Sequence, residues 1–473
     1  MEVHVSLVGR RDLAGEIYRQ LRAAVLDGRL RGGEPLPPTR ELATRLSVSR
    51  TTVGVAYDRL IGEGFATARM GSGTFVSRYL APECGRRKPR GGALRPQRIW
   101  DGVPLPMELR RPAEFDFRPG IPDSSLFPYE TWRRLLTREF RPISVGGGTY
   151  GDPAGHPGLR AAIARHVGIS RGVHADADDV VVTNGTQQAI DLVARVLVAP
   201  GERVAVEDPG YGPPRRLLAS LGLRVEGVPV DGEGLVVDAI PPETRLVYVS
   251  PSHQFPLGLS MSLRRRIGLL EWANQTGGAI IEDDYDCEFR FGGRPIEPLH
   301  MLDAHGRVIY VGSFSKSMLP TLRLGFLVAP VSLRRALKAA KYLADWHSPV
   351  ATQAAMAQFL ASGRFARHIR RMRTAYEARH RLIVHILKRS FADVMEMVPS
   401  SVGLHLAALA LEVSPDRISY ILERATAAGV ECYPLSMFAV GGDVRSGVVL
   451  GYGAIASGQI DQGLMRLRKA FDA

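Results

Sequence analysis

The stretch Val308–Phe326, VIYVGSFSKSMLPTLRLGF, decides how the rest of the chain is read. Its first four residues, Val308-Ile309-Tyr310-Val311, are β-branched or aromatic and predict a buried strand. The run empties into Gly312-Ser313-Phe314-Ser315-Lys316, so a lysine follows a strand end among small hydroxylated residues, and Arg323 comes shortly after. A lysine taken out of water gives up its proton more readily and becomes a nucleophilic amine. Such an amine forms a Schiff base with an aldehyde. A lone lysine at a strand end also suits an ordinary surface position. The surrounding chain, including a carboxylate 33 positions upstream, Asp283, selects between the two.

Outward from that stretch, strand-like runs recur at Val180–Val182, Val204–Val206, Leu246–Val249, Ala279–Ile281 and Leu324–Val328. Helical patterns at Gln187–Leu197, Arg215–Leu221, Leu263–Gln275 and Leu333–Tyr342 fall between or after them. This alternation predicts a largely parallel sheet covered by helices. Ligands of such sheets sit beyond the C-terminal strand ends, and three groups of residues fall there. Thr183-Asn184-Gly185-Thr186-Gln187-Gln188 follows a strand and opens a helix. Free backbone N–H groups at such a turn bind phosphate, although the same turn also serves as a plain connection. Ile281-Glu282-Asp283-Asp284-Tyr285 ends another strand. A buried carboxylate there needs a cationic partner. A protonated pyridine nitrogen would serve, with the Tyr285 phenol bonding a ring hydroxyl. Lys316 is the third, with Ser313 and Arg323 as further phosphate donors.

The N-terminal region has a different character. Ile17, Leu21 and Val25 mark one helix face, ended by Gly28, Gly32 and Gly33. Thr39 is read as the N-cap of a second helix with Leu42, Ala43 and Leu46 on its apolar face. Ser49 caps a third, whose inner face is Val53, Ala56, Tyr57 and Leu60. Two short helices joined by a tight turn, Ser47-Val48, are a helix-turn-helix pattern. Ser49, Arg50, Thr51 and Thr52 are small or cationic, the chemistry that meets phosphates and base edges in a major groove. Phe65–Ser77, with Gly71 and Gly73 in its middle, predicts a β-hairpin, a wing along the DNA backbone.

Charge is placed unevenly. The net charge is +13; residues 1–80 carry 12 Arg against 8 acids, and residues 81–112 carry 8 Arg or Lys against 3. Most of the excess therefore lies in the first quarter, which points to a polyanionic partner there. Residues 81–112, rich in Pro, Gly and Arg, read as a mobile connector that either adds salt-sensitive DNA affinity or only tethers and solubilises. A chain of 473 residues implies more than one domain. No run of about 18 apolar residues predicts a membrane span, and the N-terminus lacks an apolar signal core, so a cytoplasmic location is expected. Three scattered cysteines, Cys84, Cys287 and Cys432, argue against a disulfide framework or a cysteine-rich metal site.

Residues 12–78, with the run LPPTRELATRLSVSRTTVGVAYDRLIGEGFATARMGSGTFVS, closely resemble the winged helix-turn-helix of GntR-type bacterial repressors. The resemblance places Arg40, Ser49, Arg50, Thr51, Thr52 and the wing glycine Gly71 at the DNA. Position 54, often basic in that family, is Gly here. Residues 115–470 resemble the aminotransferase-like fold of pyridoxal-phosphate enzymes, fold type I, a mainly parallel sheet with a smaller C-terminal α+β subdomain. That resemblance makes Lys316 the lysine of the internal aldimine, sets Asp283 against the pyridinium nitrogen and Tyr285 against the ring oxygen, and gives the phosphate to Gly185, Thr186, Ser313 and Arg323. Tyr211 falls near the cofactor ring, and Tyr150 reaches the neighbouring subunit's phosphate, which implies a homodimer.

Two departures stand out. Phe255-Pro256-Leu257-Gly258 replaces the usual Asn-Pro-x-Gly, leaving His253 or Gln254 to substitute for the asparagine contact. Val449 occupies the position of the arginine that grips a substrate α-carboxylate, with Arg445 nearby but out of register. Together the halves, including SHQFP and EDDYD, resemble the MocR subgroup of GntR regulators. The implied organisation is a DNA-binding domain (1–80), a basic linker (81–112) and a cofactor-binding effector and dimerisation domain (113–473). The implied role is regulation of double-stranded operator DNA by a small effector, pyridoxal phosphate or an amine or amino acid that reacts with it, within a domain-swapped dimer at the nucleoid. The alternative is a working aminotransferase that carries a DNA-binding domain.

Overall fold

The computed structural model describes residues 5, 12–78, 95–100, 103, 113–140, 148–292, 297–441 and 445–472. The chain forms two compact units that divide between Arg98 and Ile99. Most of the expected linker, 81–112, lies outside the described residues.

In the first unit, helices α1 (Leu13–Leu26), α2 (Thr39–Leu46) and α3 (Arg50–Gly62) precede a hairpin of β1 (Ala66–Arg69) and β2 (Gly73–Val76). Ile17, Leu21, Leu42, Val53, Ala56, Tyr57 and Leu60 meet in one buried core. On α1 the inner face turns slightly from the expected one: Ala24 and Tyr18 are buried, and Val25 only packs against the edge. Thr39 is not a cap. Pro38 holds that position with extended dihedrals and no side-chain bond, so Thr39 becomes the first helical residue. A proline ring disfavours helical backbone in the residue before it, so the Pro37-Pro38 pair keeps the helix from starting earlier. Ser49 does cap α3, its Oγ accepting the Thr52 N–H at 3.0 Å. Ser47 takes left-handed dihedrals at the α2–α3 turn, and the Tyr57 hydroxyl donates to the Pro37 carbonyl at 2.7 Å.

The second unit is built on an eight-stranded sheet. A short strand β3 (Phe115–Asp116) enters first. The sheet then uses β4 (Val180–Thr183), β5 (Arg203–Asp208), β6 (Arg224–Asp231), β7 (Gly234–Leu235), β8 (Thr244–Val249), β9 (Ala279–Asp284), β10 (Val308–Ser313) and β11 (Gly325–Val328), in the order β4-β11-β10-β9-β8-β5-β6-β7. The five strands from β10 to β6 in that order are mutually parallel. β8, β9 and β10 are buried along nearly their whole length because helices cover both faces, while β6 is partly exposed. Val180 and Val182 face the helices Tyr129–Glu139, Pro157–Arg171 and Val350–Ala361, while Val181 faces Thr186–Leu197 and Arg334–Asp345. Each such side chain contributes about 1.5–3 kcal/mol on burial.

β11 runs antiparallel to both β10 and β4. The connection over residues 314–324 is too short for a parallel crossover. It turns through Pro320–Leu322 and a left-handed Arg323 and comes straight back. This reversal folds Arg323 over the glycine turn that follows β4, bringing distant sequence segments together.

The smaller C-terminal sheet holds β12 (Met395–Met397), β13 (His405–Ala410), β15 (Tyr433–Pro434) and β16 (Gly447–Gly451) in the order β12-β13-β16-β15, while β14 (Val430–Glu431) pairs with β3. Leu406, Ala408, Val448 and Leu450 point from one face into a core with helices Arg364–Ser390, Pro415–Ala427 and Ile460–Phe471. The opposite face turns to the first sheet's strand ends.

Candidate cofactor site and DNA-reading surface

The C-terminal strand ends of the large sheet open on one cavity of about 300 Å³. Lys316 lies on its wall and donates from Nζ to the Gly120 carbonyl at 2.6 Å. A Cβ on Gly120 would stand 3.0 Å from that nitrogen, and Gly120 has φ of +81°, so glycine suits the position twice over. Burial lowers the Lys316 pKa; Asp286 and Asp283 oppose that.

Asp283 is buried at the end of β9 and accepts the Tyr248 hydroxyl at 2.6 Å on Oδ2. Its Oδ1 is buried with no partner. Burial pushes its pKa up to about 7, against the Tyr248 bond that lowers it. A carboxylate oxygen left without a donor in a low-dielectric wall fits a ring N–H⁺, which would supply both charge and hydrogen bond. The donor set around the cavity therefore suits pyridoxal phosphate. The Tyr285 hydroxyl, on the same cavity, donates to the His253 carbonyl at 2.9 Å. Burial raises its pKa well above 10, so the phenol keeps its proton.

Opposite these groups, Gly185 begins the helix Thr186–Leu197 with φ of +84°. A side chain at 185 would collide with the Arg323 guanidinium, whose Nη2 donates to the Asn184 carbonyl at 2.7 Å. Thr186, Ser313 and Arg323 all line the cavity. The helix N-terminus, its free N–H groups and the guanidinium together make an anion cradle. Residues not singled out in the sequence reinforce this turn. Buried Lys341 bonds both Asp345 oxygens at 2.6 and 2.8 Å, and Asp345 in turn accepts from Asn184 and Gln188. The helical spacing of Lys341 and Asp345 was visible, but nothing local ties that pair to a turn over 150 residues away.

Tyr211 lines the cavity with its ring edge-on to Phe255 at 5.5 Å. His253 lies behind Tyr285 and off the cavity wall: its Nδ1 meets Asp286 Oδ1 at 2.9 Å and the Tyr285 hydroxyl at 3.2 Å. Gln254 is fully engaged, donating to the Pro209 and Phe255 carbonyls and accepting from Leu257 N–H. Gln254 has no group left for the ring, and His253 keeps its Nε2 without a partner but off the cavity wall. Tyr150 is 74% exposed and stacks on Trp346 at 4.2 Å, away from this cavity. Val449 is buried in β16, and Arg445 is exposed, facing Glu396. Gly120, Tyr248 and His405 were missed, because each reaches the cavity from a segment without a motif of its own, whereas Asp286 closes the EDDYD run and was passed over there. His253, Asp286 and His405 bring polar atoms within 4.8 Å of one another.

On the first unit, Arg40, Ser49, Arg50 and Thr51 are exposed, and Thr52 is half-buried. All but Arg40 occupy the N-terminal end of α3. Gly71, with φ of +75°, sits at the hairpin tip beside fully exposed Met70. A Cβ at Gly54 would meet nothing within 4 Å, so the absence of a basic side chain there is not imposed by packing. The exposed N-terminal end of α3 is the part of a winged helix that meets a major groove.

A winged helix and a pyridoxal-phosphate transferase fold on one chain define a transcription regulator with an aminotransferase-like domain. Residues 13–76 match the bacterial regulatory proteins of the gntR family, and residues 128–445 match aminotransferase class I and II. The chain is 37% identical to the probable rhizopine catabolism regulatory protein MocR of Rhizobium meliloti, over 96% of this chain and 93% of that one. It is 33% identical to the HTH-type pyridoxine biosynthesis transcriptional regulator PdxR of Corynebacterium glutamicum, over 93% and 91%. A crystal structure of kynurenine aminotransferase from Pyrococcus horikoshii in complex with PMP is similar at a TM-score of 0.70 and 27% identity, over 76% of this chain and 90% of that one. The chain belongs to the MocR subgroup of GntR-family transcription regulators, and its cofactor is pyridoxal phosphate.

Proposed function

We propose that this regulator couples occupancy of the Lys316 cavity to the affinity of its winged helix for operator DNA. The observation that carries the reading is the unpartnered Asp283 oxygen facing a Lys316 site, on a chain with an ordered helix-turn-helix. Bound pyridoxal phosphate supplies an aldehyde that reacts with amines. Around it, Asp283 holds the ring nitrogen, Tyr285 the ring oxygen, and Gly185, Thr186, Ser313 and Arg323 the phosphate. Tyr211 packs near the ring, His253 steadies Tyr285 from behind, and Lys316 supplies the amine. Exposed Tyr150 reaches the partner's phosphate in a homodimer whose winged domains are exchanged between subunits. Arg40, Ser49, Arg50, Thr51, Thr52 and Gly71 face the DNA, and the protein works in the cytoplasm at the nucleoid.

Regulation requires that the ligand bind two arrangements of the dimer with different affinity. A coupling of about 1–3 kcal/mol, roughly 5–150-fold, is typical. The test is operator binding, followed by fluorescence anisotropy at fixed salt, as pyridoxal phosphate is titrated alone and with amines. The native protein should change affinity by at least about fivefold, and Lys316→Ala should not. An operator affinity that ignores both cofactor and amines would reject the coupling.

A further inference from the structure

The wall of the cofactor cavity opposite the anion cradle comes from the small sheet, and it is chemically unusual. In β13 and β16, His405 pairs with Gly451 and Ala407 with Val449. Paired residues and alternate residues share a sheet face. His405, Ala407, Val449 and Gly451 therefore form one face, while Leu406, Ala408, Val448 and Leu450 form the other, inside the small-domain core. His405 lines the cavity.

The His405 ring is 1% exposed and packs against Phe255 at 5.0 Å and His253 at 4.6 Å. Burial, then His253, holds its pKa well below 6.5, with Lys316 acting in the same direction, so the imidazole is neutral. One ring nitrogen is bonded to the Pro256 backbone. Pro256 has no N–H, so its carbonyl accepts and that nitrogen is Nδ1–H. Nε2 is buried with no partner. A neutral ring with Nδ1 protonated leaves a lone pair on Nε2, which accepts a hydrogen bond and repels an anion.

Cations on the same cavity wall, among the described residues, are Lys316 and Arg323. Arg323 is committed to Asn184 beside the phosphate turn. Asp283 and Asp286 add negative charge nearby, and Asp286 is itself tied to His253 and to Leu404 N–H. Among the described residues, none that lines the cavity from the small-sheet side offers a charged fork to a carboxylate.

We propose that the effector of this cavity is a primary amine bearing a hydroxyl or amide donor in place of an α-carboxylate, with His405 Nε2 accepting that donor. This rests on the reading of the cavity as the effector site. A ligand donor would satisfy the buried Nε2, whereas a carboxylate would meet a lone pair and the apolar side chains of Phe255 and Leu404. His405 is thus a specificity-determining residue.

The test uses the full-length protein loaded with pyridoxal phosphate, read by the cofactor's absorbance. Alaninol, alanine and isopropylamine are titrated as matched probes. Alaninol should shift the spectrum at about tenfold lower concentration than either of the others, the size of one hydrogen bond to a buried acceptor. His405→Phe should bring alaninol to the level of isopropylamine, while His405→Gln, which keeps an acceptor, should retain part of the preference. Alanine acting at or below the alaninol concentration overturns the proposal, as does a spectrum that none of the three moves. The comparison on native protein decides the matter even if a variant fails to fold. If the native protein develops no cofactor absorbance at all, the cofactor reading itself fails, which is a separate result.

Discussion

Asp283 shows how a single residue can be placed for a partner. Its carboxyl is buried, bonded on one oxygen by Tyr248 and bare on the other. Its folded pKa of about 7 lies above the unfolded value of about 3.9. Its contribution to stability is therefore full below the unfolded pKa and is lost as the pH rises through about 7. Glu207, at about 8, and Glu282, at about 7, act in the same direction. The cofactor-free protein should lose melting temperature from pH 5 to pH 8, and Asp283→Asn should lose less. Equal losses in thermal melts of the two proteins would show that Asp283 is not carrying this charge. The residue was legible in the sequence because a strand ending in Glu-Asp-Asp must bury at least one carboxylate. Tyr248 was not, because its role depends on β8 lying beside β9.

At the scale of elements, short sequence signals were readable where one turn of backbone explains them. Ser49 before α3 is such a case, and the Ser49 Oγ bond to Thr52 N–H confirms the reading. Ser49→Ala should lower the stability of the winged domain by about 1 kcal/mol, measured by denaturant unfolding; an unchanged midpoint would mean the cap contributes nothing. Thr39 looked equivalent and was not, since Pro38 already sets the entry to α2. Arg50→Ala, on the exposed end of α3, should cost about 1–3 kcal/mol of specific operator affinity if it reads a base. A uniform loss across all sequences in a binding assay would reassign it to phosphate. The phosphate turn after β4 is likewise local in origin but not in support. Breaking a buried ion pair typically costs about 3–5 kcal/mol, so the Lys341 network explains how a glycine turn stays ordered.

At the scale of the molecule, the winged helix and the transferase domain have separate hydrophobic cores. Each unit should therefore unfold as its own cooperative step. Leu60→Ala, in the winged core, should lower one calorimetric transition and leave the other in place. A single transition that shifts as a whole would show strong coupling between the units. No helix among the described residues is long and apolar enough to cross a membrane.

The two folds and the cofactor chemistry were determined by sequence alone, because strand patterns, helix caps, a glycine turn and a lysine after a strand are local signals. Tertiary structure alone decided what surrounds those residues: the antiparallel return of β11 that lays Arg323 over Gly185, the Gly120 carbonyl on Lys316, and the His405 wall from the small sheet. These contacts join segments separated by roughly 80 to 200 positions. A local sequence pattern carries no record of such pairing, since it arises only when separate sheets pack and share one cavity.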